Sequence, residues 1–298
     1  MASTINLLSA DTRLGYVHYT VSNLENQIQF YTQILGLQLH WRDENNAGLG
    51  TGKKDLLLFT EDKNARRYNG VTGLYHQAFL LLNQKELARA IKRIMAFNYP
   101  QSPTDHTISQ TTYLDDPEGN TIELLANTPE EGTWEITADN FVARDKQGKT
   151  KHPSAPLNLP DLFSHLSPNE NIMKGMPADT ITGHVHLYVN NLDAAMHFYQ
   201  GVLGFHKQYY YASFKMADTT LPNYNVHIIA FNTWKGERAK LAPADALGMR
   251  YFTINLTSQA ELAEVLARIQ QAGLTIAQKE AGILINDPVG NGVLLMVE

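Results

Sequence analysis

The chain repeats itself. Residues 14–36, LGYVHYTVSNLENQIQFYTQILG, and residues 182–204, TGHVHLYVNNLDAAMHFYQGVLG, align without a gap and share 10 of 23 positions. Self-similarity over this length means that one supersecondary unit is used more than once, and this constrains the fold more than composition does. In each copy a strand-like run ending in Val leads to an Asn-Leu helix start. Leu24, Ile28, Tyr31 and Leu35 in the first copy recur at helical spacing, as do Leu192, Met196, Tyr199 and Leu203 in the second. Gly36 and Gly204 fall where a helix ends on a left-handed residue.

A second pair of segments follows its own rules. GLYHQAFLL (73–81) and GMRYFTINL (248–256) are strand-like, and each leads into a helical pattern, KELARAIKRIMAFN and QAELAEVLARIQQAG. Ser258 followed by Glu261 fits a capping box. Each segment then reaches a DPxGN turn, at Asp116 and Asp287, and an apolar strand. Each unit therefore reads as a strand, a helix and two or three strands, and the chain as an α+β protein of four βαβββ modules. Residues 1–126 hold the first two modules and 181–298 the last two. Residues 127–180, with three prolines in HPSAPLNLP and weak periodicity, read as a long linker with room for one short helix. GLGTGKK (48–54) has the wrong spacing for a phosphate loop and predicts a hairpin turn.

Composition narrows the partners. At 43% hydrophobic and 18% charged residues the chain can build a sizeable core. A net charge of −6 without a basic stripe argues against nucleic acid as a partner. No apolar run approaches the roughly 18 residues of a membrane span, so no membrane is expected. The absence of cysteine removes thiolate ligands, disulfides and a cysteine nucleophile, and fits a reducing compartment. MASTINLLSADTR lacks the basic and apolar regions of a secretory signal, and the expected location is cytoplasmic.

One acid stands out. Glu123 lies three residues past DPEGN, inside the apolar TIELLA, where an inward carboxylate needs a compensating cation. With its modules and turns, the sequence resembles the vicinal oxygen chelate superfamily, which includes glyoxalase I, fosfomycin-resistance proteins and type I extradiol ring-cleaving dioxygenases. The resemblance covers nearly the whole chain outside 127–180. It implies two cup-shaped mixed sheets, each closed by two modules. In the family, the first strand of either module type supplies a metal-binding His, and the last strand of the second type supplies a Glu.

Carried over position by position, the first-strand site falls on Tyr16, His76, His184 and Tyr251, and the last-strand acid on Glu123 and Leu294. Three ligands survive, His76, Glu123 and His184, all from the two middle modules. Pairing the modules in simple sequence order would divide these three between two cups. Nested pairing, second with third and first with fourth, would gather them, and it is the arrangement expected. His18 and His186 lie two residues beyond the ligand positions on the same strand face, and His186 is the rival to His184.

The resemblance also implies a chemistry. Two imidazoles and one carboxylate suit Fe(II), with Mn(II) as the alternative and Zn(II) compatible with the same donors. Glyoxalase-like members usually add an acid from the last strand of the first module type. Here that strand is expected at 224–234, where YNVHIIAFNTW offers His227 and no acid. The dioxygenases keep an active-site His there, preceded by a His cluster that is reduced in this chain to Asn225, Val226 and His227. Their signature runs from Thr104 and His106 through Tyr113 and the Asp116–Pro117 turn to Glu123, departing at Thr112, where a larger hydrophobe is usual. The closest likeness is to bacterial two-domain catechol 2,3-dioxygenase-like proteins. The implied activity is opening of a catechol-type ring with O₂ in aromatic catabolism, with His227, Tyr113 and His106 as the catalytic groups. The alternatives are another metal-dependent isomerase, lyase or thiol transferase of the superfamily, or a non-catalytic small-molecule binding protein. Sheet edges in open cups make a homo-oligomer the expected assembly.

Overall fold

The structure is a computed structural model that describes residues 7–136, 140–224 and 226–297. Module 1 consists of β1 (Arg13–Val21), α1 (Leu24–Gln29) with a π-helical continuation (Phe30–Leu35), β2 (Gln38–Arg42), β3 (Asn46–Thr51) and β4 (Lys54–Glu61). Module 2 follows with β5 (Gly73–Leu80), α2 (Gln84–Ala96), β6 (Ser102–Asp105), β7 (Ser109–Asp115) and β8 (Thr121–Asn127). The stretch between the repeats carries β9 (Gly132–Ile136), β10 (Phe141–Asp145), β11 (Thr150–Lys151), β12 (Ala155–Pro156) and α3 (Leu159–Phe163). Module 3 has β13 (Ile181–Tyr188), α4 (Leu192–Met196) continued by a π-helical segment (His197–Leu203), β14 (His206–Tyr211), β15 (Met216–Thr220) and β16 (Ile229–Asn232). Module 4 has β17 (Gly248–Leu256), α5 (Gln259–Gln271), β18 (Ala277–Lys279), β19 (Gly282–Asn286) and β20 (Gly292–Val297).

These strands form two large mixed sheets. One has the order β18-β19-β20-β17-β1-β4-β3-β2, drawn from modules 4 and 1. The other has the order β12-β6-β7-β8-β5-β13-β16-β15-β14, drawn from modules 2 and 3 with one strand from the intervening stretch. The pairing of modules is thus nested, as expected. The first strand of a module runs parallel to its last in β5·β8, β13·β16 and β17·β20.

The chain condenses into two compact units. One takes β1 as far as Thr20, residues 64–75 and the chain from His184 on. In it, Tyr199, Phe205, Phe231, Phe252, Ile254 and Leu294 are fully or almost fully buried. The helix of module 3 ends at Gly204, whose φ of 97° is the left-handed conformation expected there. Arg268 of α5 donates to the carbonyls of Val202 (2.8 Å) and Leu203 (3.0 Å), satisfying acceptors that a helix end leaves open. Ser258 caps α5 by accepting the Glu261 amide N–H at 3.1 Å. The reciprocal half of the capping box is displaced: the Glu261 carboxylate accepts from the amides of Thr257 (2.8 Å) and Ser9 (2.7 Å), fastening the N-terminal segment.

The other unit takes Val21–Lys63 and His76–Gly183. It repeats the same devices. The helix of module 1 ends at Gly36 with φ 87°. The Arg93 guanidinium of α2 donates to the carbonyls of Gln33 (2.6 Å), Ile34 (3.1 Å) and Thr32 (3.2 Å). At the other end, the Glu118 carboxylate accepts from Ser22 and Asn23 amides, and Glu61 accepts from Leu24, so acids occupy the positive end of α1. Residues 127–180 are more ordered than a linker with one helix. β9, β10 and β11 pair as a three-stranded antiparallel sheet, and β12 adds to β6. The small sheet is half exposed along most of its length, so its residues carry little of the hydrophobic alternation that announces a strand. The hairpin expected at GLGTGKK is present, with Gly52 at φ 58° between β3 and β4.

The two DPxGN turns explain their own motif. Asp116 is 4% exposed, and its Oδ1 accepts the amides of Glu118 and Asn120 while Oδ2 accepts the Asn120 side-chain amide. Tyr31 Oη donates to the same Oδ2 at 3.3 Å. Asp287 repeats the pattern with Val289, Asn291 and Tyr199, the last at 3.1 Å. Burial pushes both carboxyls above their ordinary range, against the pull of these donors. The Phe-Tyr pair of each repeated helix is therefore more than packing. Tyr199→Phe is expected to leave a buried acceptor one donor short and to lower stability by about 1–3 kcal/mol, measured as a shift of the urea midpoint at unchanged slope.

Candidate metal centre

Register places the site residues of module 2. In the parallel pair β5·β8, His76 lies opposite Thr121 and Ala78 opposite Glu123. His76 and Glu123 thus stand diagonally on one sheet face, because side chains alternate along a strand. Tyr113 on β7 is directly opposite Glu123 and joins that face. His76 and Glu123 are 4% and 2% exposed, and His76 Nε2 is 3.1 Å from Glu123 Oε2. The Tyr113 ring packs against His76 with centroids 5.6 Å apart.

A hydrogen-bonded chain extends from Tyr113. His106 Nδ1 is 2.8 Å from the Pro153 carbonyl, and its Nε2 is 3.1 Å from Tyr113 Oη. A carbonyl only accepts, so Nδ1 carries the proton and Nε2 of the neutral ring accepts from the Tyr113 hydroxyl. Trp134 Nε1 donates to the His106 carbonyl at 2.6 Å. Sequence reasoning missed both Pro153 and Trp134, because they belong to the stretch read as a linker.

In module 3, His184 and His186 are both buried, at 6% and 4% exposure. The amide of Asn232 settles the state of His186: its Oδ1 accepts the Trp234 N–H, so its Nδ2 donates to His186 Nε2 at 2.8 Å. The rings of Tyr75 and Trp234 pack around His186 at 5.0 and 5.7 Å. His184 instead meets His227, ring centroids 4.3 Å apart. His227 does not lie on the strand expected at 224–234. β16 begins only at Ile229, so His227 sits in the irregular segment before it, and Asn225 is outside the described residues. Facing His227 is Asp218 on β15, 1% exposed, with Oδ2 at 3.7 Å from Nδ1. Burial pushes the Asp218 carboxyl up to about 8, opposed by the Tyr209 amide that donates to its Oδ1. Sequence reasoning missed this acid too. It is legible as the only charge in MADTTL, outside the 224–234 segment where the resemblance places an acid.

Tyr16 and Tyr251, at the equivalent positions in modules 1 and 4, hold no metal-ligand chemistry of this kind. Their rings lie 6.2 Å apart, and His18 packs against Tyr251 at 4.8 Å. Burial, then Arg250, lowers the His18 imidazole to about 4.

A buried three-residue His/Glu site is present: one ligand atom from each of His76, Glu123 and His184 lies within 4.8 Å of the others. Two imidazoles and a carboxylate fit a first-row divalent cation, and a buried acid with two histidines and no lysine or arginine among them suits a positive ion. Among the described residues, neither His227 nor Asp218 joins this group.

Comparison with known proteins agrees with this architecture. The model of the Glyoxalase/Bleomycin resistance protein/Dioxygenase superfamily matches residues 13–124 and again 181–293. The chain belongs to that superfamily, one of metal-dependent proteins that includes dioxygenases. It is 34% identical over 290 residues to a catechol-2,3-dioxygenase of Bacillus subtilis (strain 168), covering 96% of this chain and 98% of the relative. Among solved structures, glyoxalase I from Zea mays shares the fold with a TM-score of 0.58 at 17% identity, over 96% of this chain and 92% of that one. The cppA protein from Streptococcus pneumoniae TIGR4 does so with a TM-score of 0.52 at 10% identity, over 99% and 100%. No helix among the described residues is long and apolar enough to cross a membrane.

Metal binding at this site would have a thermodynamic signature. Adding Fe(II) or Mn(II) anaerobically to metal-stripped protein is expected to raise stability by about 2.7 kcal/mol at a free metal level one hundred times Kd. Glu123→Ala should abolish that rise, seen as a melting temperature indifferent to metal or chelator.

Proposed function

We propose that this protein is a metal-dependent extradiol dioxygenase that opens a catechol-type ring with O₂. In this reading His76, Glu123 and His184 hold the metal, with Fe(II) preferred and Mn(II) the alternative. The observation that carries it is the grouping of two histidines with one glutamate, and no acid as a fourth member among the described residues, in a chain similar along its length to a catechol-2,3-dioxygenase. A glyoxalase-like reaction is disfavoured by the same absence of an acidic fourth ligand among the described residues.

A divalent metal bound by this donor set would favour the deprotonated diol and leave room for O₂ beside it. The remaining work falls to the protein's own groups. His227 is half-buried next to His184 and is the group assigned to take and return a proton during ring opening, since imidazole changes charge near neutrality. Tyr113 donates its proton to His106 at rest, so its oxygen is available to accept from a substrate hydroxyl. Protonation of His106 would turn Tyr113 around and make it a donor to a developing oxygen charge. Pro153 and Trp134 keep His106 in the orientation this requires. Both atoms of O₂ enter the product, a muconic semialdehyde-type compound, and no external reductant is consumed.

The test is anaerobic loading with Fe(II), metal analysis, then addition of catechol and air. Consumption of one O₂ per catechol with a yellow product is expected, and absence of O₂ uptake across several catechols by fully loaded protein would refute the reading. His227→Phe should retain the metal, measured by elemental analysis, and lose about 10²- to 10⁴-fold in kcat, the usual worth of a positioned acid-base group.

A further inference from the structure

The acid facing His227 has no part in the metal set, and its placement calls for an account. Asp218 lies on β15, opposite Ala230 of β16, which in turn lies opposite His186 of β13. The three residues form one cross-strand row, so Asp218 shares the sheet face of His186 and, by alternation, of His184. At 1% exposure it is as buried as the core around it. One oxygen is tied down: Oδ1 accepts the Tyr209 amide N–H at 2.9 Å. That anchor aims the second oxygen, Oδ2, at Nδ1 of His227, 3.7 Å away. This is a close approach and not yet a hydrogen bond. Among the described residues no lysine or arginine pairs with the Asp218 carboxyl, so charge neutralisation by a cationic side chain does not explain it. A carboxyl in such surroundings is costly unless it contributes to a hydrogen bond.

We infer that Asp218 is a positioning residue for His227: its anchored carboxyl closes onto Nδ1, holds one ring orientation and tautomer, and leaves Nε2 as the nitrogen presented to the reacting groups. An acid-base imidazole commonly has a third group orienting its far nitrogen, and such hydrogen bonds are often long before substrate is bound. The contact acts through hydrogen-bond geometry: one oxygen is anchored on the Tyr209 amide and the other faces Nδ1. The inference rests on the acid-base role proposed for His227, but its structural half can be tested apart from that role.

Two measurements decide it. In ¹⁵N-histidine-labelled protein, with and without Zn(II) as a diamagnetic metal, the His227 ring nitrogens are expected at two separate shifts, one protonated and one not. The resonances would be assigned with His227→Gln. Equal, averaged nitrogens in the wild type would overturn the inference whatever the enzyme's activity. In turnover, Asp218→Leu should reduce kcat about 10- to 100-fold, the scale of a misplaced group, at unchanged KM for catechol and unchanged metal content. Asp218→Asn, which keeps a side chain able to hydrogen-bond, should recover kcat to within a few-fold of wild type and keep the separated ring shifts. An Asn variant as impaired as the Leu variant, a Leu variant with normal kcat, or loss of metal from either would overturn it. If Asp218→Leu does not fold, the wild-type ring spectrum and the Asn variant still separate the two outcomes. A wild type that takes up no O₂ with catechol refutes the dioxygenase reading and leaves the ring spectrum to test the positioning role.

Discussion

The architecture hangs on a buried carboxylate at the end of each repeat. Asp116 and Asp287 are 4% exposed, in turns that would otherwise lie open to water. Burying an acid is unfavourable without donors, and each turn supplies three of its own from residues two and four positions on. The fourth donor is the helical tyrosine of the preceding module, Tyr31 or Tyr199, 85 or 88 residues away in sequence. A local turn therefore becomes a long-range tie, and the strand leaving it starts from a fixed point. In module 2 that strand carries Glu123 three residues after Asn120, so the tie at Asp116 also sets where the acid of the site stands.

The arginines make the same connection from the other side. Arg93 reaches the end of the helix of module 1, and Arg268 reaches the end of the helix of module 3, each donating to carbonyls that the helix leaves unsatisfied. Turn and helix end together lock module 1 to module 2 and module 3 to module 4. The sheets obey a different grouping, with β17 beside β1 and β5 beside β13 in strand order. Modules 1 and 2, and modules 3 and 4, are thus joined through polar contacts at helices and turns, whereas modules 4 and 1, and modules 2 and 3, share a sheet.

Within this frame the polar groups divide by their partners. His186 and His184 are two residues apart on one strand, yet Asn232 donates to a nitrogen of the first while the second meets His227. His106 is held at three points, by Pro153, Tyr113 and Trp134, and two of these come from a stretch whose sequence suggested only a connection. In each case the protein fixes a tautomer by placing a one-way partner on one nitrogen, because a carbonyl can only accept and an amide N–H can only donate.

The modules and their order are legible in the amino-acid chain alone. The aligned repeats, the helix-ending glycines and the DPxGN turns are local patterns, and local patterns are set by backbone sterics and spacing. The acid in TIELLA stood out by itself, while His76 and His184 were marked through the resemblance to the superfamily. What the chain alone did not contain was the account of who meets whom. Along the chain the helical tyrosines are only members of a helix-spaced row, and it is the fold that brings each to a carboxylate 85 or 88 residues away. The strand expected through His227 stops short at Ile229, and the acid beside that histidine came from the neighbouring strand instead of its own. Cross-strand neighbours depend on register, and register is chosen by the whole sheet at once, which no window along the chain can express.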